Sequence, residues 1–194
     1  MSDTEAVGTR LITLDVIRAL GLDEVWWLVS PGNPLKGGVT DMAPLAARLA
    51  SARIMARRAP IRATSVEARL GTRYTIDTLR ALGRRYPQTR FVWLMGADNL
   101  AQFHRWRDWR GIAREVPIAV IARPGYDGDA LAGPAMGWLR QFRRPAASRR
   151  TWTTWRLPAL VLLRFRPDPT SATDIRAADP DWHRGPHAPY PARH

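Results

Sequence analysis

Four short, nearly continuous apolar runs, separated by stretches of different character, constrain the fold most strongly. They occupy residues 25–29, 91–95, 117–122 and 160–165. Apolar runs of this length, flanked by turn residues, are typical of strands buried on both faces, as in parallel sheets. Because stretches of helical periodicity lie between such runs, the pattern predicts an α/β fold: a parallel sheet with helices on both faces.

The intervening stretches place leucine and isoleucine at the spacing of one helical face. They predict amphipathic helices over residues 10–20, 44–58 and 75–85. A further short strand is predicted over residues 61–66. Gly21 follows the first of these helices and is a suitable residue to end it.

The second half of the chain is less regular. Residues 126–157 are predicted as loop, apart from a helix over residues 136–142. A short helix is expected over residues 171–178, and the proline- and histidine-rich end suits a flexible tail. We therefore predict one domain over residues 1–178, followed by a tail over residues 179–194.

Composition excludes several classes of protein. The 194 residues are 45% hydrophobic, which is too apolar for a disordered chain. Cysteine is absent, so disulfides, thiolate metal sites and cysteine nucleophiles are excluded. No apolar run approaches the roughly 20 residues of a membrane-spanning helix, and no secretory leader opens the chain, so we expect a cytoplasmic protein without a membrane partner.

The chain is strongly basic, with a formal net charge of +13, and Lys36 is its sole lysine. Guanidinium groups bind phosphate well, so anionic partners fit this balance. A genome that favours arginine codons explains the same excess without any functional demand. An RNA-binding protein is a weaker alternative, because no RNA-recognition motif accompanies the charge.

Ligands of open parallel sheets bind beyond the carboxyl ends of the strands, which directs attention to four loops. These loops are residues 30–36, 96–99, 123–125 and 168–176. Each candidate also has a purely structural interpretation. The first loop can be a solvated turn, Asp98 can cap a helix rather than bind ribose, and the last loop can be a capped helix rather than an anion site.

Aromatic residues raise a similar choice. Trp106 and Trp109 stand three residues apart, which puts both on one face of a helix. They can belong to the core, or Trp106 can stack on a flat heterocycle. His104 has no carboxylate at a fixed offset and is interpreted as a surface residue, and the scattered tail histidines are weak evidence of a metal site.

Five segments in order carry a resemblance to a known family. They are residues 21–36, 74–79, 95–106, 122–126 and 171–176. Together they make the chain resemble bacterial nicotinate-nucleotide adenylyltransferases, which belong to the nucleotidyltransferase superfamily and have a Rossmann-like fold.

The resemblance implies transfer of the adenylyl group of ATP to nicotinate mononucleotide, with Mg²⁺ assisting and with deamido-NAD and pyrophosphate as products. By matching position, the nicotinate mononucleotide would be held by Asn33, Lys36, Thr75 and Trp106. The ATP would be held by Gly96, Asp98, Arg123, Ser171, Thr173 and Arg176.

One family motif is missing. The family opens with a strand and an H-x-G-H motif, whereas here Ala6, Gly8 and Thr9 stand at the positions of the first histidine, the glycine and the second histidine. The resemblance therefore implies a sheet without its first strand, an N-terminally incomplete domain and unknown catalytic residues. A misassigned start, a degraded gene copy or a partner that completes the site each explain this, and a non-catalytic nucleotide-binding remnant is the alternative function.

Overall fold

The computed structural model describes residues 3–31, 43–122 and 128–165, and for residues 3–7 and 129 it describes the backbone alone. Its α-helices are α1 Asp3–Leu20, α2 Leu45–Ala56, α3 Val66–Leu70, α4 Thr75–Arg85, α5 Ala97–Gln102, α6 Trp109–Glu115, α7 Gly128–Ala132 and α8 Pro134–Leu139. Its strands are β1 Val25–Leu28, β2 Ile61–Thr64, β3 Trp93–Gly96, β4 Ile118–Ala122, β5 Arg143–Arg144 and β6 Leu160–Arg164. Among these helices, none is long and apolar enough to cross a membrane.

All strand pairs are parallel, as predicted. The described strands form two sheets, one of β1 and β2 and one of four strands in the order β3-β4-β6-β5. In the larger sheet Met95 lies opposite Val120, and Val120 lies opposite Leu162. Within the described ranges no strand precedes β1, and no strand joins the two sheets.

Helix α1 packs against both sheets. Its Val16 and Leu20 are buried against Val161 and Leu163 of β6. Leu14 and Ile17 pack instead against the cluster around β2. The helix ends at Gly21, whose φ of +67° is the left-handed conformation that glycine adopts without strain. α1 therefore joins the two sheets, and its predicted range, residues 10–20, is confirmed and extended towards the N-terminus.

The opposite face of the four-stranded sheet carries the largest core. Helices α4 to α8 and the 3-10 helix Phe103–Arg105 pack there, and they bury Ile76, Leu100, Phe103, Ile112 and Leu139, each with at most 1% of its surface exposed. Helices therefore cover both faces of the four-stranded sheet, which confirms the predicted α/β architecture.

The helix predicted over residues 136–142 is confirmed by α8 and the 3-10 helix that follows it, but the loop predicted for the rest of residues 126–157 is wrong, because most of this segment is helical. It contains α7 and α8, 3-10 helices over Arg140–Phe142 and Ala146–Thr154, and the short strand β5. Gly133 separates α7 from α8, and Pro134 is the first residue of α8, so the buried positions of the two helices do not form one long periodic pattern. The predicted helix near residue 171 and the tail lie outside the described residues.

Candidate functional site

Four of the predicted site residues lie in the described part of the chain. Thr75, Gly96, Asp98 and Trp106 are described by the structure. The remaining predicted site residues lie outside the described residues: Asn33, Lys36, Arg123, Ser171, Thr173 and Arg176.

The turn from β3 into α5 holds Gly96 and Asp98. Gly96 is the N-cap of α5, and Asp98 stands exposed in the first turn of that helix. A side chain at position 96 would overlap the present position of the Asp98 carboxylate, which would then have to move. Asp98 is thus the second residue of the helix rather than its N-cap, and it lies just beyond the carboxyl end of β3.

Thr75 is the first residue of α4, and the backbone before it is held by hydroxyl groups. The Thr78 hydroxyl lies 3.2 Å from the Tyr74 carbonyl oxygen and 2.8 Å from the Thr72 hydroxyl. Thr78 is fully buried. These contacts fix the start of α4, and with it the position of Thr75.

Trp106 and Trp109 do not share a helical face, contrary to the prediction. Trp106 follows the 3-10 helix Phe103–Arg105 in extended conformation, whereas Trp109 begins α6. The Phe103 ring centroid lies 5.4 Å from that of Trp106 and 5.7 Å from that of Trp109. The Trp93 ring contacts Trp106 edge-on at 6.2 Å. Both indoles therefore pack against the core, and Trp106 does so from a loop.

Arg107 brings the Trp106 segment next to the start of α4. Its guanidinium lies 4.6 Å from the Tyr74 ring centroid and 3.8 Å from the Asp77 carboxylate. Because Tyr74 and Asp77 flank Thr75, the loop of Trp106 and the helix of Thr75 are neighbours. The structure thus groups Thr75 with Trp106, and Gly96 with Asp98.

Asp108 fixes the other side of the Trp106 loop. It adopts a φ of +45°, and its carboxylate accepts a hydrogen bond from the Gly111 backbone N–H at 3.1 Å, which caps α6. Arg80 bridges Asp108 at 3.2 Å and Glu115 at 2.9 Å. The hydrogen bond to Glu115 is the main cause that raises the pKa of Arg80.

Replacement of this cap has a defined expected effect. Asp108→Ala should lower the free energy of unfolding by about 1 kcal/mol, because the N-cap acceptor of α6 is lost. Asp108→Asn should retain most of the stability, since asparagine caps helices and tolerates positive φ. Urea unfolding of both variants measures the difference, and equal losses in the two would contradict the capping role.

Glu67 was missed by sequence reasoning, although it lies at the same edge as the predicted loops. It is in the first turn of α3, just beyond β2, and is only 8% exposed. Burial raises the pKa of its carboxyl group, and a hydrogen bond with the Ser30 side chain acts in the opposite direction. The sequence feature that could have indicated Glu67 is its position, because it is an acidic residue directly after the strand predicted over residues 61–66.

This raised pKa predicts a pH-dependent stability. A carboxyl group whose pKa is higher in the folded protein favours folding at low pH, and this contribution is lost as the pH rises from 4.5 through the raised value. Glutamine is neutral at every pH, so the Glu67→Gln variant has no such pH-dependent loss of stability. The melting temperature of Glu67→Gln relative to the parent chain should therefore increase with pH across this window. Thermal unfolding in a pH series measures it, and a constant difference would contradict the burial argument.

His104 differs from its interpretation as a surface residue. It is half-buried, and its Nδ1 atom is buried with no hydrogen-bond partner among the described residues. The same part of the chain contains no group of three histidine, aspartate or glutamate residues arranged to hold a metal ion.

Comparison with known proteins assigns the chain to a family. The cytidylyltransferase-like family model matches residues 11–178. A "probable nicotinate-nucleotide adenylyltransferase" of Erythrobacter litoralis is 65% identical over 175 residues, which cover 90% of this chain and 80% of the relative. The chain belongs to the nicotinate-nucleotide adenylyltransferases of the cytidylyltransferase-like family. A relative of the same name from Cereibacter sphaeroides is 50% identical, over 90% of this chain and 92% of its own length.

Solved structures show that this adenylyltransferase chain shares the fold of a more distant enzyme. The nicotinic acid mononucleotide adenylyltransferase of Plasmodium falciparum, complexed with NaAD, aligns with a TM-score of 0.57 at 15% identity, over 88% of this chain and 76% of that chain. Its complex with APC aligns with a TM-score of 0.54. The predicted family and Rossmann-like fold are both confirmed.

The H-x-G-H positions of this adenylyltransferase chain lie in a helix. Gly8 and Thr9 are both inside α1, which begins at Asp3, and the Thr9 carbonyl accepts a hydrogen bond from the Thr13 hydroxyl at 2.7 Å. Neither residue is in a turn or at the N-terminus of the helix. In the described structure, Thr9 therefore does not occupy the helix N-terminus, where an anion would meet free backbone N–H groups.

Proposed function

We propose that the chain transfers the adenylyl group of ATP to nicotinate mononucleotide in NAD biosynthesis, giving deamido-NAD and pyrophosphate. The observation that carries this proposal is the 65% identity over 175 residues to a relative named for this activity. The shared fold with an enzyme solved in complex with NaAD also supports it.

The reaction needs positioning more than covalent chemistry. A phosphate oxygen of nicotinate mononucleotide attacks the α-phosphorus of ATP, a new P–O bond forms, and the bond to the β-phosphate oxygen breaks as pyrophosphate leaves. No covalent enzyme intermediate is required. The protein therefore contributes by holding the two substrates in line and by stabilising negative charge in the transition state.

We assign the substrates to two neighbouring regions. Thr75 and Trp106 are proposed to hold nicotinate mononucleotide together with Asn33 and Lys36, and the Tyr74–Arg107 contact supports this pairing. Gly96 and Asp98 are proposed to contact the adenosine of ATP, since they lie at the carboxyl end of β3. The ATP phosphates are assigned to Arg123, Ser171, Thr173 and Arg176.

We propose that the metal ion binds to the substrate ATP rather than to a site formed by the protein alone. The described ranges contain no cluster of three acidic or histidine residues that fits a metal ion. Mg²⁺ commonly binds through substrate phosphates with few protein ligands. We propose that Mg²⁺ enters with ATP, in the cytoplasm where nucleotides are made, and we derive no step from a metal held by these residues.

A direct assay tests the proposed function. The full chain is incubated with ATP, Mg²⁺ and nicotinate mononucleotide, and deamido-NAD is measured by chromatography while pyrophosphate is measured enzymatically. We expect the two products in equal amounts, and none when either substrate is omitted. Nicotinamide mononucleotide and pantetheine phosphate serve as competing acceptors, and a faster reaction with either one would contradict the proposed acceptor.

The position of Thr9 inside α1 favours one second candidate, a nucleotide-binding protein without turnover. Calorimetry with ATP and with nicotinate mononucleotide separates the two functions. Binding without product formation supports the second candidate. Absence of both binding and product contradicts both, and a salt-sensitive gel shift with RNA would then favour the basic-surface alternative.

A further inference from the structure

Two residues of α4 form ion pairs with two consecutive residues of the loop that carries Trp106. The Asp77 carboxylate lies 3.8 Å from the Arg107 guanidinium. Further along the helix, the Arg80 guanidinium lies 3.2 Å from the Asp108 carboxylate. Because residues three apart on a helix share a face, Asp77 and Arg80 present an acid and a base side by side to this loop. Two ion pairs of opposite polarity therefore connect α4 to the loop.

The order of these charges favours one position of the loop along the helix. An α-helix rises about 4.5 Å over three residues, which is the spacing between Asp77 and Arg80. A displacement of the loop by this distance would bring Arg107 towards Arg80, or Asp108 towards Asp77, and like charges repel. Both pairs are exposed, so each contributes little to the free energy of unfolding. Their alternating signs therefore act on the position of the loop more than on the stability of the fold.

Arg107 is held at the start of α4 by a second contact. Its guanidinium lies 4.6 Å from the Tyr74 ring centroid. The Tyr74 carbonyl accepts hydrogen bonds from the backbone N–H groups of Asp77 at 3.0 Å and Thr78 at 3.1 Å, which close the first turn of α4. Thr75 belongs to this turn. Arg107 therefore contacts residues on both sides of Thr75.

The backbone around Trp106 forms one unit with the start of α6. The Trp106 N–H donates to the Phe103 carbonyl at 3.0 Å, and the Trp106 carbonyl accepts from the Trp109 N–H at 3.2 Å. The Asp108 carboxylate accepts from the Gly111 N–H at 3.1 Å. Because these hydrogen bonds connect the loop to the helix that follows it, the contacts that hold Asp108 also hold Trp106.

Arg80 contacts both ends of α6. Its Nε donates to the Glu115 carboxylate at 2.9 Å, and its Nη2 donates to the Asp108 carboxylate at 3.2 Å. The planar fork of a guanidinium group suits two carboxylates at once. On the buried side of the same helices, Ile76 of α4 and Ile112 of α6 belong to one core cluster. The core therefore holds the two helices together, and Arg80 orients α6 along α4.

We propose that Asp77 and Arg80 are positioning residues for nicotinate mononucleotide. Through the two loop residues with which they pair, they hold the Trp106 indole in a fixed place relative to Thr75. This inference rests on the function proposed above, in which Thr75 and Trp106 hold that substrate. Neither Asp77 nor Arg80 is assigned a contact with the substrate itself.

Steady-state kinetics of charge-reversal variants test the proposal. Arg80→Glu places a carboxylate against Asp108 and Glu115, so the loop and α6 are repelled from α4. It should raise the KM for nicotinate mononucleotide about 10-fold, since two exposed ion pairs are lost and replaced by repulsion. The KM for ATP and kcat should change by less than about 2-fold on the same scale. Arg80→Gln removes the charge without adding repulsion and should raise the KM about 3-fold.

Restoration of opposite charges separates positioning from direct binding. Asp77→Arg should raise the KM for nicotinate mononucleotide about 5-fold, because it repels Arg107. The double variant Asp77→Arg/Arg107→Glu restores an attractive pair and should recover most of this loss. If Arg107 binds the substrate directly, the double variant should remain as impaired as Arg107→Glu alone, and this result would overturn the positioning role of Asp77.

Arg84→Glu is the matched control, because Arg84 is an exposed arginine in the last turn of the same helix. Among the described residues it forms no ion pair. The variant changes the net charge as much as Arg80→Glu does, and it should leave both KM values and kcat unchanged. Circular dichroism and melting temperatures show whether each variant is folded, and Arg80→Gln keeps the test valid if Arg80→Glu does not fold.

The outcomes separate the positioning role from the proposed function. An active parent chain whose Arg80→Glu and Asp77→Arg variants keep the original KM for nicotinate mononucleotide overturns the positioning role and leaves the proposed function intact. Equal rises in the two KM values indicate a merely structural role and also overturn it. A parent chain that neither binds nicotinate mononucleotide nor forms deamido-NAD contradicts the proposed function, and the positioning role with it.

Discussion

Phe103→Ala should lower the free energy of unfolding by about 3–5 kcal/mol, the range for a fully buried phenylalanine replaced by alanine. Phe103 has 0% of its surface exposed. Its ring lies between Trp106 and Trp109, with centroid distances of 5.4 and 5.7 Å. Removal of the ring leaves a cavity in the largest core and takes away an edge contact from each indole.

Equilibrium unfolding in urea, followed by tryptophan fluorescence, measures this effect. Phe103→Leu should cost less, because it fills part of the cavity with apolar volume. Ile54→Ala is a useful control, since Ile54 is 53% exposed on α2 and should lose no more than about 0.5 kcal/mol. A loss for Phe103→Ala as small as that for Ile54→Ala would show that this core does not depend on the ring.

The strands and the parallel arrangement could be predicted because their signal is local. Strands β4 and β6, residues 118–122 and 160–164, are buried on both faces. Their sequences are therefore nearly continuous runs of apolar residues rather than an alternation of apolar and polar residues. The helical content of residues 128–154 could not be predicted in this way. Helices α7 and α8, separated by Gly133, are too short for their buried residues to show a helical period.

The site could be predicted only where side chains themselves carry the signal. Gly96 and Asp98 follow a recognisable buried strand, and topology then places them at the ligand edge. The contact of the Thr78 hydroxyl that holds the start of α4 could not be predicted, because its partner is a backbone carbonyl, which every residue possesses. Trp106 and Trp109 are separated by the extended backbone of Trp106 and the positive φ of Asp108, and helical spacing alone does not indicate such a break.

Trp106→Ala should raise the KM for nicotinate mononucleotide by about 10- to 100-fold, because stacking on an aromatic side chain contributes roughly 1–3 kcal/mol per base. The proposed partner of the indole is the pyridine ring. Trp106→Phe keeps an aromatic face and should lose less than about 10-fold. The KM for ATP should change little in either variant, since Gly96 and Asp98 are proposed to hold the adenosine.

Packing must be separated from stacking, because Trp106 also contacts Trp93 and Phe103. Trp109→Phe provides the matched control: this indole lies three residues further on, against Phe103 and Trp138, and is assigned no substrate contact. If packing alone matters, both tryptophan variants should lower the melting temperature and raise the two KM values together. If Trp106 binds the pyridine ring, only its variants should shift the ratio of the KM values, and this shift should persist at temperatures well below unfolding.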